Sequence, residues 1–258
     1  MKQITLKSAL MRVMAVLLPA FGTVSASAQY YMNIRTSDGT IVQYFVKDVD
    51  SVWFTSSDHE FVDLGLSVKW ATCNVGAEKP EEYGDLYAWG ETAPKTSYTW
   101  TNYKFRTDGD SRDDVKFSKY NTVSSYGPVD KKPVLDLEDD VANAKWGGSW
   151  RLPTQAELDE LINDCTWKWY SKGNSTFGGV AGYKVTSKKY TNRFIFLPAA
   201  GYKNDTNLSA VGSRGYYWSS SLNSEYPYCV WHVYFNDSNV SQINNDRNRG
   251  FSVRPVCP

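Results

Sequence analysis

The sequence predicts an α+β fold, built from short antiparallel strands, one main helix and long connections. Three observations carry that expectation. Short apolar or alternating runs at 182–186, 194–198, 229–235 and 251–256 are bounded by Gly, Pro, Asn or Ser, as the strands of a small sheet are. Only the segment opening at Pro153 combines a helix start signal with a helical apolar period. Long polar stretches, above all 95–134, show little period of either kind, and a loop of that length is functional or mobile more often than not. Strands gathered around a single helix, rather than alternating with helices, argue for α+β.

Residues 1–28 read as a signal peptide. Lys2, Lys7 and Arg12 give a positive head, 13–21 a short apolar run, and Ala26-Ser27-Ala28 the small-residue cleavage site. The run falls short of the ~20 apolar residues that a membrane helix needs. No cysteine sits beside the cleavage site to carry a lipid, and no later segment is apolar enough to span a bilayer. The expectation is an exported chain, periplasmic, cell-surface or extracellular, without a membrane span.

Residues 29–57 read as a separate β-hairpin segment. Strand-like runs at 31–35 and 40–46 flank Ser37-Asp38-Gly39, where glycine can take positive φ, and 48–54 supplies a third strand or a short turn. So small a unit lacks a core and should pack on something, which makes it a candidate contact for a surface assembly partner. The polar residues 55–60 are the expected linker.

Residues 58–258 form the main domain. A strand is expected within 62–71, and 83–91 is an aromatic loop or strand bounded by glycine. Thr154 is a good N-cap with Glu157 three residues on, the capping box, and Leu158, Leu161 and Ile162 then share one face until the helix ends near Cys165.

Composition bounds the function. Lysine plus arginine equals aspartate plus glutamate, 28 each, so no overall field draws the chain to nucleic acid or an anionic membrane. Ten tryptophans and eighteen tyrosines exceed what one core requires, so some rings should face a ligand or partner. The two histidines, His59 and His232, lack a triad neighbour by motif, and no catalytic residue is expected. Two acidic clusters, Glu138-Asp139-Asp140 and Asp108, Asp110, Asp113, Asp114, have oxygens that suit calcium, but solvated acidic loops are commoner. No metal or cofactor is expected.

One stretch stands apart. Six asparagines, five tyrosines and six serines fill just over half of the 33 positions 216–248, where Arg247 is the only cation. That is the alphabet of a paratope, although Asn, Ser and Asp also fill ordinary turns. Alternation across 229–236 assigns Cys229, Trp231, Val233 and Phe235 to the core and Val230, His232, Tyr234 and Asn236 to a presentation face. The expected ligand-binding residues are Tyr216, Tyr226, Tyr228, His232, Tyr234, Asn239, Gln242, Asn244 and Asn245, exposed on one surface above Trp218, Trp231, Phe235, Phe251 and Val253. The ligand would be a protein or a glycan.

Several words of the sequence carry a family resemblance: FVDLGLSVKWATCNVGA (61–77), YAWGET (87–92), WGGSWRLPT (146–154), LPAAGY (197–202), YWSSS (217–221) and SVRPV (252–256). In this order they resemble the Fibrobacter succinogenes major paralogous domain family, abundant in exported proteins of gut Bacteroidetes. That family is similar to the formylglycine-generating-enzyme branch of the C-type lectin-like fold. The resemblance implies a small twisted antiparallel sheet with a flanking helix and long loops, in which Trp146, Trp150, Arg151 and Arg254 are structural. It implies little about chemistry. The closely spaced cysteine pair of formylglycine-generating enzymes has no counterpart, because Cys229 and Cys257 are far apart in sequence. Nor do the sugar-binding words of C-type lectins recur; only Asn236-Asp237 hints at them. C-type lectin-like folds often bridge the main helix to the last strand, which implies a disulfide between Cys165 and Cys257, with Cys73 free and buried. In proteins of this fold, diversity-generating retroelements vary a final segment rich in asparagine, and 238–248 has that look. The expected function is non-catalytic recognition, with a structural or adhesin-type subunit as the alternative and an enzyme third.

Overall fold

The computed structural model describes residues 31–35, 40–46 and 59–258, so the expected signal peptide, the hairpin turn and the segment 48–54 lie outside the described residues. Two units separate, Met1–Ser56 and Ser57–Pro258.

In the first unit, β1 (Tyr31–Arg35) pairs antiparallel with β2 (Ile41–Phe45). The register sets Tyr31 opposite Phe45, and their rings meet edge-on at 4.6 Å. Strand alternation puts Met32, Val42 and Tyr44 on the other face, where Val42 and Tyr44 are exposed.

The second unit opens with β3 (Phe61–Val62), β4 (Lys69–Ala71), β5 (Arg106–Asp108) and β6 (Lys116–Phe117). Two helices follow, α1 (Val141–Trp146) and α2 (Gln155–Asp164). Then come β7 (Cys165–Tyr170), β8 (Gly182–Ser187), β9 (Phe194–Pro198), β10 (Tyr202–Asn204) and β11 (Asn207–Ser209). The chain ends with β12 (Gly215–Leu222), β13 (Cys229–Phe235), β14 (Val240–Asp246) and β15 (Val256–Cys257). All named pairings are antiparallel, in several small sheets: β12-β13-β14, β7-β8-β9, β15-β4-β3, β5-β6 and β10-β11. The architecture is a sheet-rich α+β domain.

Local chemistry fixes both helices. The Thr154 hydroxyl accepts from the Glu157 N–H, and the Glu157 carboxylate accepts from the Thr154 N–H at 2.7 Å and from Arg151 at 2.8 Å. Leu158 and Leu161 are then buried. Asp140 caps α1 by accepting from Ala142 and Asn143, and its other oxygen accepts from the Leu152 N–H at 2.7 Å. A carboxylate so placed ties the end of 140–152 to its beginning.

Strands β12 and β13 are largely buried on both faces, which explains why CVWHVYF reads as a nearly continuous apolar run. On one face Tyr217, Val233 and Phe235 join Leu158, Leu161, Val185, Ile195 and Leu197. On the other, Tyr216, Trp218 and Val230 join Tyr87, Trp89, Tyr103, Phe117 and Phe251. The expected presentation face is therefore core. His232 is 0% exposed and Tyr216 is 7% exposed, both packed against Phe251, and the stretch 95–134 joins the same core instead of standing off as a mobile loop. That stretch is mostly irregular, yet Tyr98, Trp100, Tyr103, Phe105, Val115, Phe117 and Tyr120 are all buried.

Hydrogen bonds from buried side chains lock the loops. Trp89 donates to the Ser219 carbonyl at 2.9 Å and Trp218 to the Tyr87 carbonyl at 2.8 Å. Arg254, 1% exposed, donates to Asn74 and to the carbonyls of Ala71, Thr72 and Phe196 at 2.8–3.0 Å, so it is structural. Trp150 is buried beside Ala71 and Cys257, and Trp146 stacks on His59 at 3.7 Å.

All four cysteines are free, buried thiols, which corrects the expected Cys165–Cys257 bridge. The physical reason is placement. Cys165 packs with Leu158 and Leu161, whereas Cys257, paired opposite Lys69, packs in a separate cluster with Ala71 and Trp150.

Candidate functional site

The nine residues expected to share one surface do not. Tyr216 and His232 are buried, and burial drives the His232 pKa down to about 3, so the ring is neutral between Tyr216, Trp218 and Phe251. The register sets Gln242 opposite Val233 and Asn244 opposite Trp231, on the face toward α2. There Gln242 exchanges hydrogen bonds with Gln155, one to its side chain at 3.0 Å and one to its carbonyl at 2.8 Å. Asn245 lies opposite Val230 and Tyr234 opposite Ser241, on the other face. Trp231, expected beneath the surface, is only half-buried. Tyr226 and Asn239 are exposed, but at opposite ends of β13. The error has one cause: alternation separates two faces of a strand without saying that one is solvent.

Tyr228 belongs to a different grouping. Its ring lies 5.4 Å from Tyr126 and 5.9 Å from Tyr226, and the Arg112 guanidinium sits over it at 5.4 Å. Arg112 also pairs with Asp246 at 2.7 Å. Within 238–248, Asp246, Arg247 and Asn248 are buried. Arg247 is fully buried with its guanidinium 3.4 Å from the Phe117 ring centre, and burial lowers its pKa to about 10.

The acidic clusters are occupied by the protein itself. Asp136, Glu138 and Asp139 bring carboxylate oxygens within 4.8 Å of one another, the only such group among the described residues. Lys119 Nζ sits among them, 2.7 Å from Asp136, 2.7 Å from Glu138 and 2.6 Å from Asp139. Burial opposes the charge on Asp139, but hydrogen bonds from Lys104, Lys119 and Tyr120 outweigh it and hold its pKa below the ordinary value. A calcium ion there would have to displace an ammonium. Asp140 is committed to capping α1, and Asp114 to Ser111.

A groove opens where β7, the start of β12 and the β13–β14 turn meet. It has a volume of about 410 Å³ and is lined by Trp169, Ser171, Lys172, Gly212, Ser213, Arg214, Asn236 and Asp237. Contacts beneath the groove place several of these residues. Trp169 lies opposite Tyr183 in the β7–β8 ladder and makes T-shaped contacts with Tyr183 at 5.2 Å and Phe235 at 6.3 Å. Phe235 also meets Trp167, Tyr183 and Tyr217, so it centres the aromatic cluster under the groove. Asn236 shapes the turn: its side-chain oxygen accepts from the Ser238 and Asn239 N–H groups at 3.0 and 2.9 Å, and its amide donates to the Tyr234 hydroxyl at 3.2 Å. The Tyr216 hydroxyl beside Arg214 raises the arginine pKa. By contrast, Trp169 Nε1, Lys172 Nζ and the Asp237 carboxylate have no hydrogen-bond or ion-pair partner within the described residues. These three, with Arg214, are groups offered outward.

Of the expected residues, Asn239 and Tyr234 border this groove through Asn236; Trp169, Lys172, Arg214 and Asp237 were not anticipated. The available signal was Asn236-Asp237-Ser238-Asn239 standing between two alternating runs, a turn that presents side chains at a sheet end. A second depression of about 340 Å³, more apolar, is lined by residues including Tyr83, Asp85, Leu86, Tyr98, Lys203 and Leu208. Among the described residues no helix is long and apolar enough to cross a membrane. No curated protein and no solved structure matches the chain. Residues 183–256, which include β8 to β14 and the Arg214, Asn236 and Asp237 side of the groove, match a family model described as a domain of unknown function (DUF8237).

Proposed function

We propose that this chain is an exported, non-catalytic recognition protein whose binding site is the groove beside the β13–β14 turn. The observation that carries this reading is one juxtaposition: a half-buried indole, a free lysine, a free carboxylate and a guanidinium around about 410 Å³ of open space. Sites for small ligands run roughly 300–1,000 Å³. The groove is built on strand ends held by buried rings, and such support lets a surface bind with little loss of chain freedom. A non-catalytic reading is supported by the chemistry of the usual nucleophiles and bases. His232 is sealed in the core, and burial raises the thiol pKa of Cys165 to about 11 and of Cys229 to about 12. Buried, separated thiols also disfavour a formylglycine-generating chemistry.

The ordered sequence words, the capped helix and the small antiparallel sheets support kinship with the Fibrobacter succinogenes major paralogous domain family and a C-type lectin-like fold. Export rests on the N-terminal signal. Positions free to diversify, by a retroelement or otherwise, are Ser238, Asn239, Ile243 and Asn244, since Asp246, Arg247 and Asn248 are held by the core. A structural or adhesin-type subunit is the second reading, favoured by the exposed Val42 and Tyr44 of β2. The chain from Gln29 onward, applied to mixed glycan and peptide arrays, tests the choice. Specific binding that is lost in Asp237→Asn supports recognition at the groove. Absence of binding, with self-assembly that depends on Val42 and Tyr44, transfers the reading to a subunit.

A further inference from the structure

We infer that the groove is a saccharide site, in which a sugar ring lies against Trp169 while Asp237, Lys172 and Arg214 divide its hydroxyls. This deepens the recognition reading and rests on it. The first part of the argument is the mixture of surfaces. A sugar ring has a face of C–H groups and a rim of hydroxyls, each both donor and acceptor. It therefore needs a flat apolar platform edged by groups of both polarities. Trp169 is such a platform, half-buried, fixed by Tyr183 and Phe235, and with its indole N–H free. Asp237 can only accept, and Lys172 and Arg214 can only donate, so the groove addresses both ends of a hydroxyl pair.

The second part is exclusion. A peptide would require apolar pockets for its side chains, and apart from Trp169 the lining is made of small, polar or charged residues. A polyphosphate or nucleic acid would meet the unpaired Asp237 carboxylate. A calcium bridge is disfavoured, because the groove offers the ion a single carboxylate and sets two cations beside it. Binding should thus be independent of calcium. Two cations against one carboxylate further favour uronic-acid sugars over amino sugars.

The third part is rigidity. Asn236 holds the turn by three bonds to Ser238 and Asn239, so Asp237 is presented from a fixed backbone. Arg214 precedes Gly215, which lies under the Phe235 ring, and that contact fixes where β12 begins.

The test uses an array of neutral, uronate-bearing and amino-sugar oligosaccharides beside a peptide array of equal density, followed by titration calorimetry with the strongest oligosaccharide hit. The wild-type chain from Gln29 is expected to bind oligosaccharides, undiminished by EDTA, with uronate forms ahead of amino-sugar forms. Asp237→Asn and Lys172→Met, both exposed and without internal partners, should keep the wild-type melting temperature. Asp237→Asn should weaken the hit at least tenfold. Trp169→Ala should abolish binding, and Trp169→Phe, which keeps the core contacts, guards against loss of fold and should bind at an intermediate level. Saccharide binding unchanged in Asp237→Asn and Trp169→Phe overturns the groove assignment. Peptide hits that these variants remove overturn the saccharide class while leaving recognition at the groove standing. No hit on either array overturns both.

Discussion

Phe235 and Gly215 face each other across β12 and β13, and their pairing sets up a sharp test of how the groove is supported. A Cβ added at Gly215 would lie 2.0, 2.4 and 2.5 Å from three atoms of the Phe235 ring, so the ring occupies the space a side chain would need. Gly215→Ala forces the ring off its seat between Trp167, Tyr183 and Tyr217, and overpacking of this kind costs about 1–3 kcal/mol. Phe235→Ala removes the ring itself and should cost about 3–5 kcal/mol. That is a large part of the ~5–15 kcal/mol by which domains are stable. If the two effects were independent, the double variant would lose their sum. Here the new methyl group enters the void left by the ring, so the double variant should recover about 1–3 kcal/mol of that sum. Urea unfolding followed by tryptophan emission measures all four chains, provided the slope with urea stays constant. A strictly additive double variant, or a Gly215→Ala chain as stable as wild type, would refute the reasoning.

Other expectations follow from the polar interior. Burial raises the Asp140 pKa to about 6 against an ordinary 3.8, so between about pH 4 and 6 the folded chain holds a proton that the unfolded chain has released. Its contribution to stability therefore falls as pH rises through that window and is constant above it. The pKa values of Asp130, Asp136 and Asp139 are lowered, so their contributions are lost instead as pH falls below about 4. Asp140→Asn should flatten the melting temperature between pH 4 and 6, at the cost of an amide that cannot accept from Leu152. Lys119→Met removes the ammonium shared by Asp136, Glu138 and Asp139, but Lys132 still pairs Asp136 and Lys104 still pairs Asp139, so it should cost about 1 kcal/mol. Millimolar calcium should raise the melting temperature of that variant and leave the wild type unchanged, as scanning fluorimetry would show. Arg254→Met strands three carbonyls and the Asn74 side chain, for a loss of about 3–5 kcal/mol by urea unfolding; Arg254→Lys should restore little, since one ammonium cannot reach all four acceptors.

What the sequence made legible was what short-range chemistry controls. Thr154 and Glu157 marked the start of α2, and the apolar runs gave β9 and β13 at their observed bounds. β7, β12 and β14 were missed as strands, because β12 is serine-rich and β14 reads as polar turn residues; only pairing with β13 makes them a sheet. The expected strand at 251–256 is mostly an extended segment held by isolated bridges from Phe251 to Tyr87 and Ser252 to Tyr217. The stretch 95–134 read as loose because its aromatics follow no period, yet they pack as a half-core. Burial of His232 depended on Tyr216, Trp218 and Phe251, which reach it from two other segments. The groove was invisible for a similar reason: Trp169, Arg214 and Asp237 come from three separate elements and meet only in the fold.

The pairing of β15 with β4 has a consequence for when the domain can form. The closing strand lies almost at the end of the chain, and the Arg254 bonds that seal it reach back to Asn74, 180 positions earlier. Long-range closures of this kind slow folding, because the loop entropy is lost before the contacts reward it. A growing chain lacks this seal until residues 254–257 have been made, so the domain stays open until then. Removing residues 254–258 should therefore cost the domain its seal and its fold together, although most of its core residues would still be present.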